Sequence, residues 1–353
     1  MSLLPGPLCK KCPLYFRVHC HVPSTVNRKV SDEKVDMVLV GELPRKEDVA
    51  KHEVFSGAAG SYLNTMLDSV GIDRSKVRLT SVLKCNSKNN NLPEDTDLAI
   101  ECCAPLLEKD IQGAKVIVGF GALPLKAFTG LGKIQKRRGS VYPLKSGQPF
   151  LATLHPSWLR KMEFVQSESK RGLIPKEVGE ADLSKALRIV NGEDWLGWSK
   201  KFTSTPYPSV FEISLFLDRL YNGKEKWVQV DIETTHDKKN PWKVPLLCGF
   251  SFHDWGLCVG FEEDWEIDFL LKALASPTPK VFHNGVFDIK WLEEVGLKVN
   301  NYAFDTLYMH HGSYAELPHS LAFVQSLYTW MPYHKDLVSW VEEDEGEEIE
   351  EEE

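Results

Sequence analysis

Apolar and polar positions alternate along the chain in blocks that predict strands followed by helices. In the first half, four short apolar runs have the length and composition of buried strands, and the segments between them carry apolar residues at helical spacing. The predicted strands are Val35–Val40, Val77–Leu83, Lys115–Phe120 and Phe150–Leu154, and the predicted helices are Ser61–Val70, Asp95–Ile111 and Leu123–Phe128. This alternation predicts an α/β fold in which a parallel sheet lies between two layers of helices.

A second α/β pattern follows a polar, irregular stretch. Its predicted helices are Ser209–Tyr221, Asp268–Ala275 and Val286–Val295, and its predicted strands are Trp227–Glu233, Leu246–Phe252 and Gly256–Phe261. The stretch before it contains one predicted helix, near Ala181–Val190. We therefore predict a first domain over residues 1–165, a linker over 166–208, a second domain over 209–340 and an acidic, disordered tail over 341–353.

The charge of the chain is concentrated at its end. The net charge is −8, but the segment Glu342–Glu353 alone holds ten acidic residues, so the rest of the chain is slightly basic and compatible with a DNA partner. No apolar run has the length of a membrane span, and the N-terminus lacks the apolar core of a signal peptide. We expect a cytoplasmic protein without a membrane partner, in the host cytoplasm if a phage encodes it.

Eight cysteines suggest a metal centre rather than disulfides in a reducing compartment. Cys9-x-x-Cys12 is a chelating pair, and Cys85 and the doublet Cys102-Cys103 lie in the same half of the chain. Such thiolates bind zinc or an iron–sulfur cluster, and their spacing does not distinguish the two. The remaining cysteines, Cys20, Cys248 and Cys258, are predicted to be small buried apolar residues.

Polar residues follow the predicted strands of the first domain, where α/β sheets carry their chemistry. The segments concerned are Gly41–Pro44, Glu47–Asp48, Phe55–Gly60, Thr80–Cys85 and Leu154–Ser157. In this order they resemble the iron–sulfur (family 4) branch of the uracil-DNA glycosylase superfamily, over roughly residues 5–162. The resemblance implies a three-layer α/β/α glycosylase-like domain that binds DNA.

The resemblance also implies roles for individual residues. Phe55 would stack on the flipped base, His155 would stabilise the departing uracil anion, and Glu42 or Asp48 would orient water. The loop after His155 would enter the DNA stack with an apolar wedge and grip phosphate with cations; its residues are Trp158, Leu159, Arg160 and Lys161. A 4Fe-4S cluster, with zinc as the alternative, would be held by Cys9, Cys12, Cys85 and Cys103, with Cys102 as the alternative to Cys103.

The chain departs from that family at three positions of the base pocket. Leu43 and Arg45 replace small residues of the family's Gly-Glu-Gly/Ala-Pro-Gly segment, and bulk there narrows the pocket. Ser81 stands where relatives have a base-reading asparagine. A serine hydroxyl cannot make both hydrogen bonds of an amide, so these positions favour altered base recognition or DNA binding without excision.

The second domain carries carboxylates in a pattern typical of metal-dependent nucleases. Asp231 and Glu233 lie on one face of a predicted strand, and Asn284 and Asp288 begin a predicted helix. Such a group would hold Mg²⁺ or Mn²⁺, with Asn284 contacting DNA. The pattern resembles the RNase H-like DnaQ 3′–5′ exonuclease domain carried by bacteriophage family A DNA polymerases. That family's third motif does not follow: Tyr333 and Asp336 are one residue too close, so the domain is expected to be incomplete.

Three hypotheses for function follow from these patterns. In the first, the chain is the N-terminal part of a phage-type DNA polymerase acting on single-stranded DNA or a primer-template 3′ end, and either the gene is split or interrupted or the rest of the polymerase is a separate chain. Alternatively, it is a stand-alone glycosylase for uracil or a modified base, with a vestigial nuclease domain. The third hypothesis is a non-catalytic DNA-binding module. These hypotheses include both enzymes and a non-enzyme; if the chain is active, we expect it to be a hydrolase.

Overall fold

The computed structural model describes residues 6–31, 33–87, 90–169, 175–197, 202–222, 225–235 and 242–333. The chain divides into two units. Unit 1 comprises Met1–Trp195 and Gln325–Glu353, and unit 2 comprises Leu196–Val324. The predicted acidic tail and the segment 334–336 lie outside the described residues. No helix in the described ranges is both long and apolar enough to cross a bilayer.

Unit 1 is built on a seven-stranded mixed sheet in the order β2-β1-β4-β3-β5-β7-β6. Its strands are β1 (Thr25–Val26), β2 (Lys29–Val30), β3 (Met37–Gly41), β4 (Val77–Ser81), β5 (Val116–Phe120), β6 (Val141–Pro143) and β7 (Pro149–Thr153). The four central strands, β4, β3, β5 and β7, are parallel as predicted. The outer strands β1, β2 and β6, of which β2 and β6 form the sheet edges, pair antiparallel and were not predicted, because two- and three-residue strands leave no periodic signal.

Seven α-helices accompany this sheet in the described part of unit 1. They are α1 (Lys46–Lys51), α2 (Ala58–Ser69), α3 (Thr96–Ile111), α4 (Ala122–Thr129), α5 (Ile134–Arg137), α6 (Pro156–Ser169) and α7 (Pro175–Val190). Val38 and Val40 of β3 pack into one core with residues of α3 and α4. Leu39, between them, is also buried and points to the opposite face, so both faces of the sheet are covered. The α/β prediction for this unit is confirmed.

Helix α7 occupies much of the segment predicted as an interdomain linker. Val178, Leu183 and Ala186 are buried within unit 1, and the backbone at Gly179 lies against Met66 of α2 and Leu159 of α6. Charged residues are interspersed among the apolar ones along this helix, which is why the segment looked like a solvated connection. The structure thus extends unit 1 to Trp195, beyond the predicted boundary at residue 165.

Unit 2 contains a six-stranded mixed sheet in the order β13-β12-β9-β10-β11-β8. Its strands are β8 (Thr203–Thr205), β9 (Val228–Thr234), β10 (Pro245–Ser251), β11 (Trp255–Val259), β12 (Lys280–Phe282) and β13 (Tyr302–Asp305). Its helices are α8 (Val210–Tyr221), α9 (Asp264–Ala275), α10 (Gly285–Glu294) and α11 (Thr306–Ser313), while α12 (Leu321–Tyr328) runs across the boundary to the last segment of unit 1. Phe216, Phe250 and Phe269 form the centre of its core.

Candidate functional site

A cavity of about 210 Å³ lies in unit 1 beyond the carboxyl ends of β3 and β4. It gathers most of the residues that the sequence singled out for base recognition and catalysis: Glu42, Asp48, Phe55, Ser81, His155 and Arg160. Leu43 and Arg45, the two bulky departures from the family pattern, line the same cavity. Parallel strands bring these segments together because their carboxyl ends meet at one edge of the sheet.

Phe55 forms one wall of the cavity together with His155. The two rings are stacked, with centroids 5.9 Å apart and planes 28° apart. Phe55 is buried and has a φ of +58°, a backbone region that aromatic residues rarely adopt. Such a conformation persists where the surrounding structure enforces it, commonly at functional sites.

Gly60 enforces the conformation of Phe55. A Cβ atom at position 60 would lie 1.6 Å from the Phe55 carbonyl oxygen, so only glycine fits without moving backbone. We expect Gly60→Ala to lower the free energy of unfolding by about 3 kcal/mol or more and to displace Phe55. Urea denaturation of the purified variant measures this cost. Gly132→Ala is the control, because nothing lies within 4 Å of its added methyl group; equal stabilities of the two variants would contradict the prediction.

His155 is held in a single neutral tautomer. Its Nδ1 accepts the Ser157 backbone N–H at 3.2 Å and lies 2.6 Å from the Ser157 hydroxyl. A backbone N–H can only donate, so the ring proton resides on Nε2. Burial, and then the positive charge of Arg45, lower the pKa of His155 to about 4. His155 is therefore a neutral hydrogen-bond donor near pH 7.

The two carboxylates proposed to orient water differ in their surroundings. Asp48 is buried, and its oxygens accept hydrogen bonds from the Arg45 N–H at 2.9 Å, the Ser56 N–H at 2.8 Å and the Ser56 hydroxyl at 3.0 Å. These bonds fasten the loop before and after α1. Glu42 directly follows β3, and its Oε1 lies 3.4 Å from the Leu123 N–H. Asp48 thus holds the pocket wall, and Glu42 is the better placed candidate for contact with water.

The segment predicted to enter DNA is the start of α6. Arg160 and Lys161 are exposed and Trp158 is half-buried. Leu159 is completely buried and contacts the backbone at Gly179, so its prediction as part of an apolar wedge was wrong. Phe164, one turn beyond Arg160, is 66% exposed and was missed by the sequence analysis.

Five cysteines line one small cavity of unit 1. They are Cys9, Cys12, Cys85, Cys102 and Cys103, and His21 and Lys84 are among the other residues that line it. Burial and the neighbouring thiols raise the pKa of Cys85 to about 12, and burial raises that of Cys103 to about 11. Within the described residues, however, no three His, Cys, Asp or Glu side chains are arranged to hold a metal ion. Both members of the doublet reach the cavity, so the choice between them stays open.

The carboxylates of unit 2 gather near the middle of its sheet. Asp231 and Glu233 alternate with Ile232 along β9, and the buried Asp288 of α10 accepts the Ile232 N–H at 3.1 Å. Partial burial and the Glu233 carboxylate raise the pKa of Asp231 to about 6. Burial and the Asp231 carboxylate raise the pKa of Asp288 to about 7. The three acids therefore lie close enough to repel one another.

Asn284 and the acid that anchors it complete this part of unit 2. Asn284 has a φ of +66° and precedes α10. Asp305 accepts the backbone N–H groups of Asn284 at 3.0 Å, Gly285 at 2.7 Å and Leu307 at 2.9 Å, which gives Asp305 a structural role. A cavity of about 420 Å³ beside Asp231 is lined by Gln229 and His283, among others.

Unit 1, which carries this site, belongs to an α/β family that acts on DNA bases. The family model described as uracil DNA glycosylase superfamily matches residues 28–174. The type-4 uracil-DNA glycosylase of Archaeoglobus fulgidus is 34% identical over 182 residues, which cover 49% of this chain and 87% of that protein. The type-4 enzyme of Sulfurisphaera tokodaii is 34% identical over 161 residues, covering 42% and 70%. The chain belongs to the uracil-DNA glycosylase superfamily, as the sequence predicted.

One further relative extends into unit 2. A DNA polymerase of Bacillus phage SP01 is 24% identical over 313 residues, covering 79% of this chain and 32% of the polymerase. This chain thus spans about a third of that relative. Among solved structures, the catalytic core of RRP6 from Trypanosoma brucei is 21% identical and covers 54% of this chain and 48% of that one, with a TM-score of 0.28.

Proposed function

We propose that unit 1 removes uracil, or a closely related base, from DNA. The observation that carries this proposal is the stack of Phe55 on His155 at the wall of a cavity into which the neutral His155 can donate from Nε2. A glycosylase holds a flipped base against an aromatic ring while the glycosidic bond breaks and the base leaves as an anion. A fixed N–H donor at the developing negative charge lowers that barrier, since it needs no reorganisation during the reaction.

Other residues of the cavity have supporting roles in this proposal. Glu42 would orient the water that attacks the sugar, and Asp48 keeps the α1 loop in place. Arg160 and Lys161, with the exposed Phe164, would bind the phosphate backbone and unstacked bases beside the cavity. The substrate would therefore be DNA with an accessible or flipped base.

The proposal is tested with an end-labelled oligonucleotide carrying a single uracil. Alkali-sensitive cleavage at the uracil would support excision, and an intact strand after prolonged incubation would count against it. Because the pKa of His155 is about 4, we expect the single-turnover rate to change little between pH 8 and pH 5 on account of this residue. A histidine with an ordinary pKa of about 6.5 would instead be mostly protonated at pH 5, so its neutral fraction would be roughly 30-fold smaller than at pH 8. A midpoint near pH 6.5 that disappears in His155→Gln would contradict the prediction.

We also propose that the five-cysteine cavity of unit 1 holds an iron–sulfur cluster, with zinc as the alternative. The chemistry of these residues suits such a centre, because several buried thiols that raise one another's pKa are stabilised as thiolates by a cationic metal centre. Cys9, Cys12 and Cys85, with one of the doublet, would hold it. The centre would join the N-terminal segment to the loop after β4 and support the nearby pocket.

As a second activity we propose metal-dependent 3′–5′ exonuclease chemistry in unit 2. The raised pKa values of Asp231 and Asp288 favour it, because acids that raise one another's pKa are stabilised as carboxylates by a bound cation. Asp231, Glu233 and Asp288 would hold Mg²⁺ or Mn²⁺, which would activate water and stabilise the leaving oxygen. The likeness to a phage DNA polymerase suggests a place in DNA replication, with a primer-template 3′ end as substrate and a polymerase chain as partner.

Metal binding by unit 2 should depend on pH. We expect Mn²⁺ to bind at pH 8, and its affinity to fall at least about tenfold at pH 5.5, because Asp231 and Asp288 must lose protons to bind a cation. Titration calorimetry with Mn²⁺ measures both affinities. Asp288→Asn should abolish binding, whereas Glu293→Gln, an exposed acid on the same helix, should not. Equal affinities of these variants would exclude the proposed group.

A further inference from the structure

Ser81, which occupies the position of the family's asparagine, donates its hydroxyl proton to a group of the chain itself. Its Oγ lies 2.7 Å from the Leu83 carbonyl oxygen, and both residues are buried. A carbonyl oxygen can only accept, so the hydroxyl hydrogen points to Leu83. Ser81 therefore offers the cavity a hydrogen-bond acceptor and no donor.

Arg45 brings a donor to the same cavity. Its backbone N–H is held by Asp48 at 2.9 Å, and its Nη1 donates to the Asn90 carbonyl at 2.7 Å. These two bonds fix both ends of the residue, while the guanidinium keeps further N–H groups that cannot lose their protons. Its charge acts on His155, which is independent support for its place beside the site.

The cavity thus presents three separate groups to a base: the Ser81 acceptor, the Arg45 donors and the Nε2–H donor of His155. A ring N–H flanked by two carbonyl groups is the edge that complements one acceptor and two donors. Uracil has this edge. Cytosine has an unprotonated ring nitrogen, which finds no donor on Ser81, and an amino group, which a guanidinium repels.

We propose that Ser81 and Arg45 together replace the single base-reading amide of the family, and that they select the 2,4-dioxopyrimidine edge against cytosine. This inference rests on the proposed base-binding function of the cavity. It explains two departures from the family pattern, the missing asparagine and the added bulky cation, as parts of one altered base-recognition site. An unpaired buried polar group typically costs enough free energy to make such a pocket discriminating.

Binding, rather than cleavage, tests the proposal. The probes are two single-stranded oligonucleotides that carry one 2′-fluoro-2′-deoxyuridine or one 2′-fluoro-2′-deoxycytidine, since the fluorine atom slows breakage of the glycosidic bond. Fluorescence anisotropy with the full chain gives the ratio of the two dissociation constants. We expect the uridine probe to bind at least about tenfold more tightly, and Ser81→Ala and Arg45→Met each to reduce that ratio about tenfold or abolish it.

A compensating variant distinguishes loss of base recognition from general disruption of the pocket. In the Arg45→Met background, Ser81→Asn should restore the preference for uridine, because an amide supplies the acceptor and the donor at once. The control is Arg160→Met, since Arg160 is a second cation lining the same cavity. Its loss should weaken both probes equally and leave the ratio unchanged.

The outcomes separate this inference from the proposed activity. A wild-type ratio near one, or a ratio unchanged in both Ser81→Ala and Arg45→Met, overturns the inference even if uracil is excised. A ratio that changes as expected in a protein that never cleaves uracil-containing DNA supports the altered base-recognition site and overturns the proposed excision.

Discussion

Replacing His155 with alanine is expected to lower the rate of uracil excision by about 100- to 1,000-fold, as removal of a fixed donor to a developing anion typically does. The fold should survive, because the strand before His155 is held by its neighbours in the sheet. Phe55 loses its stacking partner but is still packed against Phe120 at 5.7 Å. Single-turnover kinetics on the uracil oligonucleotide, together with thermal unfolding, separate loss of chemistry from loss of structure.

Ser157→Ala is the matched control for His155→Ala. It removes the hydroxyl near Nδ1 but keeps the backbone N–H that fixes the tautomer, so we expect a loss of less than about tenfold. His155→Gln retains an N–H donor and should fall between the two. If His155→Ala excised uracil at the wild-type rate, the leaving base would have to be stabilised by another group, and the Arg45 guanidinium would be the first to examine.

The parts of this site that could be predicted from sequence lie at the carboxyl ends of buried strands. Gly41 and Ser81 are the last residues of β3 and β4, and His155 lies just past β7, so the parallel strands bring all three positions to one edge. The residue types then indicated the chemistry. The acceptor-only state of Ser81 could not be predicted, because it depends on a hydroxyl rotor that the Leu83 carbonyl fixes only in the folded chain.

Leu159 shows where the sequence argument failed. Its position after His155 suggested a wedge for DNA, but a leucine in the first turn of α6 faces α7, which the sequence had assigned to a linker. The misassigned helix and the misassigned leucine are one error, since Leu159 needs α7 as its packing partner. The exposed Phe164 has the opposite character, and helical spacing from Arg160 was the signal that could have found it.

Helix α7 also buries a network of charged residues that no sequence pattern predicted. The Asp182 carboxylate of α7 accepts the Arg138 Nε–H at 3.1 Å, a second guanidinium N–H of Arg138 and the Thr153 hydroxyl at 2.7 Å. Arg138 also donates to the Ser326 hydroxyl at 2.7 Å, and the buried Lys185 donates to the Ser326 carbonyl at 2.8 Å. Isolated charged residues look solvent-exposed in a sequence, and only the return of the chain at Ser326 to unit 1 brings these groups together.

Asp182→Asn is expected to destabilise unit 1 by about 3 to 5 kcal/mol, because it leaves the Arg138 charge buried without its counterion. Asp182 is fully buried and the Arg138 side chain is 3% exposed, so water cannot replace the lost charge. For a unit of this size the midpoint of thermal unfolding should fall by roughly 10 °C. Differential scanning calorimetry of the full chain measures the shift.

Asp36→Asn serves as the control for Asp182→Asn, since its partner Lys115 is 3.1 Å away and both side chains are more than half exposed. Exposed pairs of this kind contribute less than about 1 kcal/mol. Arg138→Met combined with Asp182→Leu removes both charges and should recover much of the lost stability, because neither ion is then left unpaired. If Asp182→Asn unfolded at the same temperature as Asp36→Asn, the buried pair would not be holding α7 to the strand that ends at Thr153. The extension of unit 1 beyond residue 165 would then depend on apolar packing alone.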